Sequence, residues 1–234
     1  MCLILIPLAG PDFYTEQFGI RPLYPVGHTT LIEHVLAHRP WINDHDSNQL
    51  VFILRDEGIH TKQVQTLIMK RFPSAHTVIL SDLSAGAPLS ALAGLALAKQ
   101  YDTPVIIDLA DIVFTMPQDV CAYFYSNPYV DAVVPYFDSS NPKFSYISLD
   151  GDVVTKAREK QLISTHASTG VYFFRNVTAY LQAMIYCFQH LDICKIGASF
   201  FICPSVNGLI SQNRQVRAIK VTQVEDMSTL FHEN

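Results

Sequence analysis

The chain has 234 residues, of which 49% are hydrophobic and 16% charged, a balance that excludes a disordered protein and allows one complete core. Its net charge of −5 and lack of a basic run argue against nucleic acid or a membrane as partner, so we expect a small-molecule ligand. Five cysteines without metal-binding spacing indicate reduced thiols and predict a cytoplasmic protein. The apolar start MCLILIPLAG lacks a positive leader, so we interpret it as a first strand.

Apolar strands alternate with amphipathic helices over the first half of the chain. Thr30 and Glu33 form a capping box that predicts the start of the first helix, and Pro40 predicts its end. Such alternation predicts an α/β fold with a Rossmann-like, doubly wound, mostly parallel sheet. The predicted strands are residues 2–8, 50–55 and 76–80, and the later helices are a stripe through Val64, Leu67, Ile68 and Phe72, and residues 89–99.

The run VIIDLADIVF at residues 105–114 contains two carboxylates in an otherwise apolar stretch. Its Val and Ile content predicts a strand buried on both faces, with Asp108 and Asp111 at its carboxyl end. Ligands of open α/β sheets bind beyond the carboxyl ends of the strands, so this pair is a candidate site for a divalent cation. Alternatively, Asp111 only caps the following segment or begins a turn.

In the second half of the chain, strands no longer alternate regularly with helices. Strands are predicted at residues 131–137, 144–150 and 168–175, and Asp150-Gly151 indicates a hairpin turn, so this half is expected to be antiparallel. We expect one domain, residues 1–234, with a nucleotide-binding half (1–114) and a substrate-binding half (115–234) that share one sheet. A helix is predicted from residue 177 to residue 190, with these side chains inward: Tyr180, Leu181, Met184, Ile185 and Phe188.

Several segments, in this order, resemble the sugar-1-phosphate nucleotidyltransferases, which have a glycosyltransferase-A-like fold. LILIPLAG, GIRPLYPV and TTLIEHVL resemble the start of that family, and SAGAPLSAL at residues 84–92 resembles its base-reading loop. LADIVF is similar to the family segment Leu-Gly-Asp-Asn-Ile-Phe, and residues 151–174 are similar to its sugar-binding segment. The resemblance covers most of the chain and implies an antiparallel substrate half inserted into the sheet.

The resemblance implies an enzyme that joins a nucleoside triphosphate to a sugar 1-phosphate or a similar small phosphorylated metabolite. Pyrophosphate would be released with Mg²⁺ as cofactor, and the protein would be a possible homo-oligomer. Asp111 would hold the metal, with Asp108 as a second ligand or a support, while Arg21 and Lys160 would contact phosphate. Leu8, Ala9, Gly10, Ser84 and Gly86 would bind the nucleotide, and Glu159, Gly170 and Ser145 the sugar.

The chain departs from the family pattern at two places. The family's glycine-rich loop with an Arg is replaced by Gly10-Pro11-Asp12, which removes an amide donor and adds a negative charge. Near the carboxyl end, the closing segment VTQVEDMSTLF (residues 221–231) resembles that of the family, but Thr222-Gln223 replaces Gly-Thr. The position where the family has its second metal carboxylate, just before this segment, falls near Lys220. A binding protein without turnover, or a glycosyltransferase that uses a nucleotide sugar and an Asp108–Asp111 metal pair, therefore stays an alternative.

Individual residues also have simpler interpretations. Arg21 could be a surface residue, and Glu159 with Lys160 could be an exposed charge pair on an edge strand. Among the histidines, His166 is the one that lies inside the sugar-binding segment.

Overall fold

A mixed sheet of ten strands forms the centre of the protein in a computed structural model that describes residues 2–43 and 49–231. The strands are β1 (Leu3–Pro7), β2 (Tyr14–Thr15), β3 (Gly19–Ile20), β4 (Pro25–Val26), β5 (Thr29–Thr30), β6 (Gln49–Arg55), β7 (His76–Leu80), β8 (Val105–Asp108), β9 (Ile112–Thr115), β10 (Val130–Asp138), β11 (Ser145–Asp150), β12 (Val153–Glu159), β13 (His166–Ser168), β14 (Val171–Phe174), β15 (Lys195–Ile196), β16 (Ser199–Phe200), β17 (Gln215–Lys220) and β18 (Thr222–Asp226).

Helices connect the strands and are short in the second half of the chain. Their bounds are α1 (Leu31–Ala37), α2 (Pro40–Asn43), α3 (Ile59–Arg71), α4 (Ala87–Leu95), α5 (Val120–Ser126), α6 (Val177–Gln189), α7 (Leu191–Cys194) and α8 (Asn207–Ile210), with 3-10 turns at Arg21–Leu23, Cys203–Val206 and Met227–Phe231. The predicted capping box begins α1, where the Thr30 amide donates to Glu33 Oε2 at 3.0 Å and the Glu33 amide donates to Thr30 Oγ1. None of these helices has the length and apolar character that a membrane crossing requires within the described residues.

The large sheet has the order β13-β11-β12-β17-β10-β14-β8-β1-β6-β7. Strands β8, β1, β6 and β7 are parallel neighbours, as predicted for the first half of the chain. The second half joins through β14, antiparallel to β8, and the predicted hairpin links β11 and β12 at Gly151, which has a positive φ of 60°. Antiparallel pairs dominate the second half, as predicted, and among its described strands only β10 and β17 are parallel neighbours. The ten-stranded sheet as a whole is therefore mixed rather than mostly parallel.

Helices cover both faces of the sheet. In β1, Ile4 and Ile6 belong to one core cluster and Leu3 and Leu5 to another, as the alternation of side chains along a strand requires. Side chains of α1, α3 and α5 join the first cluster, whereas those of α4, α6 and α8 join the second. This three-layer arrangement places the loops after β1 and β8 together at one edge of the sheet.

Two predicted strands are interrupted at positions that matter for the site. The run 105–114 forms β8 and β9 rather than one strand, because the chain turns at Ala110, which has a φ of 54°. Strand β9 then leaves the large sheet and pairs with β18. Likewise, the run 168–175 is divided at Gly170, with a φ of 77°, into β13 and β14. Each turn places polar backbone and side chains at the edge of the sheet.

Helix α6 packs on a different stripe from the one predicted. Tyr180 and Met184 are buried as expected, but the prediction is wrong for Leu181, Ile185 and Phe188, which are 41%, 54% and 49% exposed. Small residues share the buried side with Tyr180 and Met184, so the size of an apolar side chain does not mark the inner face. These small buried residues are Ala179, Ala183 and Cys187.

Candidate active site

A cavity of about 550 Å³ opens beyond the carboxyl ends of β1 and β8. Residues that are far apart in the sequence line it, including the loops after both strands and residues of β11, β12 and the closing segment. Every predicted site residue except Asp108 is part of the lining: Leu8, Ala9, Gly10, Arg21, Ser84, Gly86, Asp111, Ser145, Glu159, Lys160 and Gly170. The two halves of the chain therefore contribute to one site.

Arg21 lies between two carboxylates. Its Nη2 donates to Asp111 Oδ1 at 2.8 Å, and its Nη1 donates to Asp12. The ring of Phe231 lies 4.7 Å from the guanidinium carbon, a cation–π distance. The side chain of Arg21 is 19% exposed and faces the cavity, so the interpretation of Arg21 as an ordinary surface residue is wrong.

The carboxyl group of Asp111 is electrostatically strained. Loss of hydration raises its pKa to about 6, and the negative charges of Asp12, Asp108 and Asp226 add to this rise, against the opposing effect of Arg21. About 39% of the side chain is exposed, but this surface opens into the cavity, where protein atoms surround the carboxyl. A cation bound beside Asp111 would relieve this excess of negative charge.

Asp108 has a structural role, and the structure contradicts its prediction as a metal ligand. Its side chain is fully buried, and its Oδ2 accepts from Arg39 Nε at 2.7 Å. Its Oδ1 accepts from the amide of Ala110 at 2.9 Å. Both oxygens are therefore engaged inside the core, and the Asp108–Asp111 metal pair that the glycosyltransferase alternative required does not form.

Glu159 ends β12 and lines the cavity. It is 7% exposed, so the interpretation of an exposed charge pair is wrong for this residue. Burial raises its pKa to about 7, although a hydrogen bond from the hydroxyl of Ser145 and the charge of Lys160 favour the ionised form. A carboxylate with its own donor and little water beside it is suited to accept hydrogen bonds from a polyol.

Two other lining residues, Lys160 and Gly170, have positive φ angles. Lys160 has a positive φ of 50°, its amide donates to the Phe144 carbonyl at 3.1 Å, and its ammonium lies 5.5 Å from the centre of the Phe201 ring. Gly170 has a φ of 77°, which favours glycine, although a Cβ there would meet Leu109 at an ordinary 3.5 Å.

The predicted base-reading loop is held by a second part of the chain. The Phe200 amide donates to the Ala85 carbonyl at 2.8 Å, and a Cβ on Gly86 would lie 2.3 Å from the Phe200 carbonyl oxygen. Gly86 also has a φ of 109°, so glycine is required here by the protein's own backbone before any ligand is considered. The hydroxyl groups of Ser84 and Ser90, 2.6 Å apart, close the loop.

The sequence analysis missed several polar residues of the lining, and three of them, Lys143, Asp226 and Ser228, lie close together. Asp226 ends β18, next to Met227, whose amide donates to the Asp111 carbonyl at 3.0 Å. The position expected to carry a second carboxylate, Lys220, instead pairs with Asp138 at 2.5 Å outside the cavity lining. The acidic end of the matched closing segment was the signal that could have identified Asp226.

His166 is outside the cavity lining and packs against the ring of Tyr136, with their centres 5.0 Å apart. We therefore assign it no role in the site.

The donor set of the cavity suits magnesium in a substrate complex. Within the part of the chain that the structure describes, no group of three or more His, Cys, Asp or Glu side chains is close enough to hold a metal ion alone. Magnesium commonly binds through one or two carboxylates and completes its coordination with water and substrate phosphates. Asp111 provides one such carboxylate, and Asp12 and Asp226 lie in the same cavity.

Comparison with known proteins was made for both sequence and structure. Neither a protein-family profile nor a curated protein matches the sequence. The structure matches a nucleoside-diphosphate-sugar pyrophosphorylase from Vibrio cholerae, with a TM-score of 0.78, 19% identity and coverage of 96% of this chain and 95% of that one. The chain has the fold of the sugar-1-phosphate nucleotidyltransferases, as the sequence resemblance predicted.

Two other matches carry the same fold. An inositol-1-phosphate CTP transferase from T. maritima matches with a TM-score of 0.72 and 10% identity over 96% of this chain and 87% of that one. A UDP-glucose pyrophosphorylase complexed with UDP-glucose matches with a TM-score of 0.65 and 14% identity over 99% of this chain and 95% of that one. Because the identities are so low, the assignment of a reaction depends on the residues of the cavity.

Proposed function

We propose that this protein is a nucleotidyltransferase that joins a nucleoside triphosphate to a sugar 1-phosphate, or a similar small phosphorylated metabolite, and releases pyrophosphate. One observation carries the proposal. Residues that the sequence resemblance assigned separately to nucleotide, metal and sugar line a single cavity in a chain with the nucleotidyltransferase fold. Cytoplasmic location and assembly into a homo-oligomer stay predictions.

The transfer requires alignment and charge stabilisation rather than a covalent intermediate. A phosphate oxygen of the sugar phosphate would attack the α-phosphorus of the triphosphate, and pyrophosphate would leave on the opposite side. Glu159 would accept hydrogen bonds from the sugar hydroxyls and Lys160 would bind the sugar phosphate, which orients the attacking oxygen. Asp111 would hold magnesium, which when bound lowers the charge repulsion between the reacting phosphates.

Arg21 would change partners during binding. In the structure both ends of its guanidinium bind carboxylates, Asp12 and Asp111. Magnesium would bind the carboxylate of Asp111 and so remove one partner of Arg21. The guanidinium could then bind a substrate phosphate through two parallel hydrogen bonds.

A binding protein without turnover is the second candidate, and the loop after Gly10 favours it. Pro11 lacks an amide donor, and Asp12 adds a negative charge and engages Arg21, so this loop cannot cradle a triphosphate as a glycine-rich loop with an Arg would. On this alternative the cavity would bind a nucleotide or a sugar phosphate and leave it unchanged.

Pyrophosphate release separates the two candidates. The protein would be incubated with magnesium, each of the four common ribonucleoside triphosphates, and a panel of sugar 1-phosphates that includes inositol 1-phosphate. The proposed function predicts pyrophosphate for one or a few combinations and none when the acceptor is omitted. Tight binding of a nucleotide by calorimetry, without pyrophosphate in any combination, would contradict the proposed reaction and favour the binding protein.

A further inference from the structure

Lys143 reaches the cavity from the loop before β11, beside the closing segment. Its ammonium forms an ion pair with Asp226 and lies 3.1 Å from the hydroxyl oxygen of Ser228. Both partners belong to the closing segment, whose Met227 amide binds the carbonyl of Asp111 at 3.0 Å. The side chain of Lys143 is 30% exposed and lines the cavity, so the ammonium is held in place and can still meet a ligand.

The other cations of the cavity are engaged elsewhere. The guanidinium of Arg21 is bound at both ends by Asp12 and Asp111. The ammonium of Lys160 lies over the ring of Phe201 and interacts with the charge of Glu159, on the sugar side. Of the two lysines in this lining, Lys143 is therefore the one that contacts the closing segment, which in turn binds the backbone of Asp111.

Charges alternate across this part of the cavity. Arg21 forms an ion pair with Asp111, and Lys143 forms one with Asp226. The negative charge of Asp226 acts on Asp111 and raises its pKa. A triphosphate that enters beside Asp111 would thus have a cation on each side. When a triphosphate binds, the Lys143 side chain would exchange its ion pair with Asp226 for one with a phosphate oxygen. The ammonium would therefore keep an anionic partner throughout.

We propose that Lys143 is a phosphate-binding residue of this cavity and supplies the positive charge that the loop Gly10-Pro11-Asp12 does not. The inference rests on the proposed function for the identity of the full substrate. Its chemistry needs only a polyphosphate, which can be tested without turnover.

Binding of inorganic tripolyphosphate with magnesium, measured by calorimetry, tests this role. Lys143→Gln removes the charge, Lys143→Arg keeps it, and Lys156→Gln is a matched control because Lys156 is exposed on β12 and outside the cavity lining. We expect Lys143→Gln to weaken binding by roughly tenfold to a hundredfold, as for loss of one charge-assisted hydrogen bond. Lys143→Arg and Lys156→Gln should bind within about threefold of the unmodified protein.

Several results would overturn the assignment of Lys143. These are absence of tripolyphosphate binding by the unmodified protein, unchanged binding by Lys143→Gln, or an equal loss in Lys143→Gln and Lys143→Arg, which would indicate a structural role. The pyrophosphate assay keeps this proposal separate from the proposed function. Lys143-dependent tripolyphosphate binding without pyrophosphate release would leave the assignment intact and overturn the reaction, whereas turnover with an unchanged triphosphate KM in Lys143→Gln would overturn the assignment alone.

Discussion

The guanidinium of Arg39 binds Asp108 inside the core, with 2.7 Å between Nε and Oδ2 and both side chains fully buried. Nη2 of Arg39 also donates to the Ile112 carbonyl at 2.6 Å, so one side chain ties the end of β8 to the start of β9. The chain between these two points must turn within three residues. Arg39 thereby fixes the turn that directs Asp111 into the cavity.

The Arg39–Asp108 pair is expected to matter for stability. Removal of one partner leaves a buried charge uncompensated, so Arg39→Met should lower the free energy of unfolding by about 3–5 kcal/mol. Urea denaturation measures this value. Arg71→Met is the control, because Arg71, the partner of Glu33, is about half exposed and its loss should cost about 1 kcal/mol or less. Equal, small losses for both variants would contradict the structural role of the buried pair.

Asp111→Asn should affect the reaction without a loss of stability. Loss of magnesium binding should lower the turnover number by about a thousandfold or more. The thermal midpoint should not fall, because burial already disfavours the ionised carboxyl that the substitution removes. Pyrophosphate release and thermal denaturation are the two measurements, with exposed Asp102→Asn as control. Turnover by Asp111→Asn at the unmodified rate would show that the metal ligand is misassigned.

Glu159 should make sugar-phosphate binding depend on pH. Because its pKa is about 7 and its ionised form accepts the hydroxyl hydrogen bonds, kcat/KM for the sugar phosphate should rise with pH up to about 7 and then level off. Glu159→Gln should show a lower kcat/KM without this part of the dependence. Since both variants act on the same substrate, ionisation of the substrate phosphate affects them equally, and identical pH profiles would contradict the role of Glu159.

The same group has an opposite effect on stability. The folded protein keeps a proton on Glu159 that the unfolded chain, with an ordinary pKa of 4.5, has released, so the free energy of unfolding should decrease as the pH rises from 4.5 to 7. The slope is at most about 1.4 kcal/mol per pH unit. Urea denaturation over this range should show a smaller decrease for Glu159→Gln, which keeps only the contribution of other groups such as Asp111. Decreases of equal size in the two proteins would argue against the raised pKa of Glu159.

Gly86→Ala should disrupt the predicted base-reading loop. The added Cβ would lie 2.3 Å from the Phe200 carbonyl oxygen, so the loop or β16 must move, and nucleotide binding should fall at least tenfold with a stability loss of about 2 kcal/mol or more. Gly151→Ala is the matched control, because Gly151 also has a positive φ but nothing lies within 4 Å of a Cβ there. It should lose only about 1 kcal/mol and bind nucleotide normally. Calorimetry and urea denaturation distinguish the two, and normal nucleotide binding by Gly86→Ala would contradict the role of this loop.

Features set by local sequence were predicted correctly. The capping box of Thr30 and Glu33, the hairpin at Gly151 and the apolar strands of the first half depend on residues close together in the chain. The order of the family-like segments indicated the fold that is observed. Because this fold brings those segments together, all but one of the site residues named from the sequence line the cavity.

Features set by distant partners were not predictable in the same way. Asp108 and Asp111 look alike in the sequence, and only Arg39, 69 residues before Asp108, separates a core ion pair from a cavity carboxylate. Lys143 and Asp226 become parts of the site only when the closing segment pairs with β9. The inner face of α6 was misjudged because small residues, Ala179, Ala183 and Cys187, share it with Tyr180 and Met184, while other large apolar side chains are exposed.

Detection of the products by phosphorus NMR tests the central claim most directly. The protein and its Asp111→Asn variant would each be incubated with magnesium and every combination of the four common triphosphates with the panel of sugar 1-phosphates. We predict that a nucleotide sugar and pyrophosphate appear together in equal amounts, and that the Asp111→Asn sample shows neither. Unchanged triphosphate and sugar phosphate with the unmodified protein, or nucleotide hydrolysis without a nucleotide sugar, would contradict the proposed reaction.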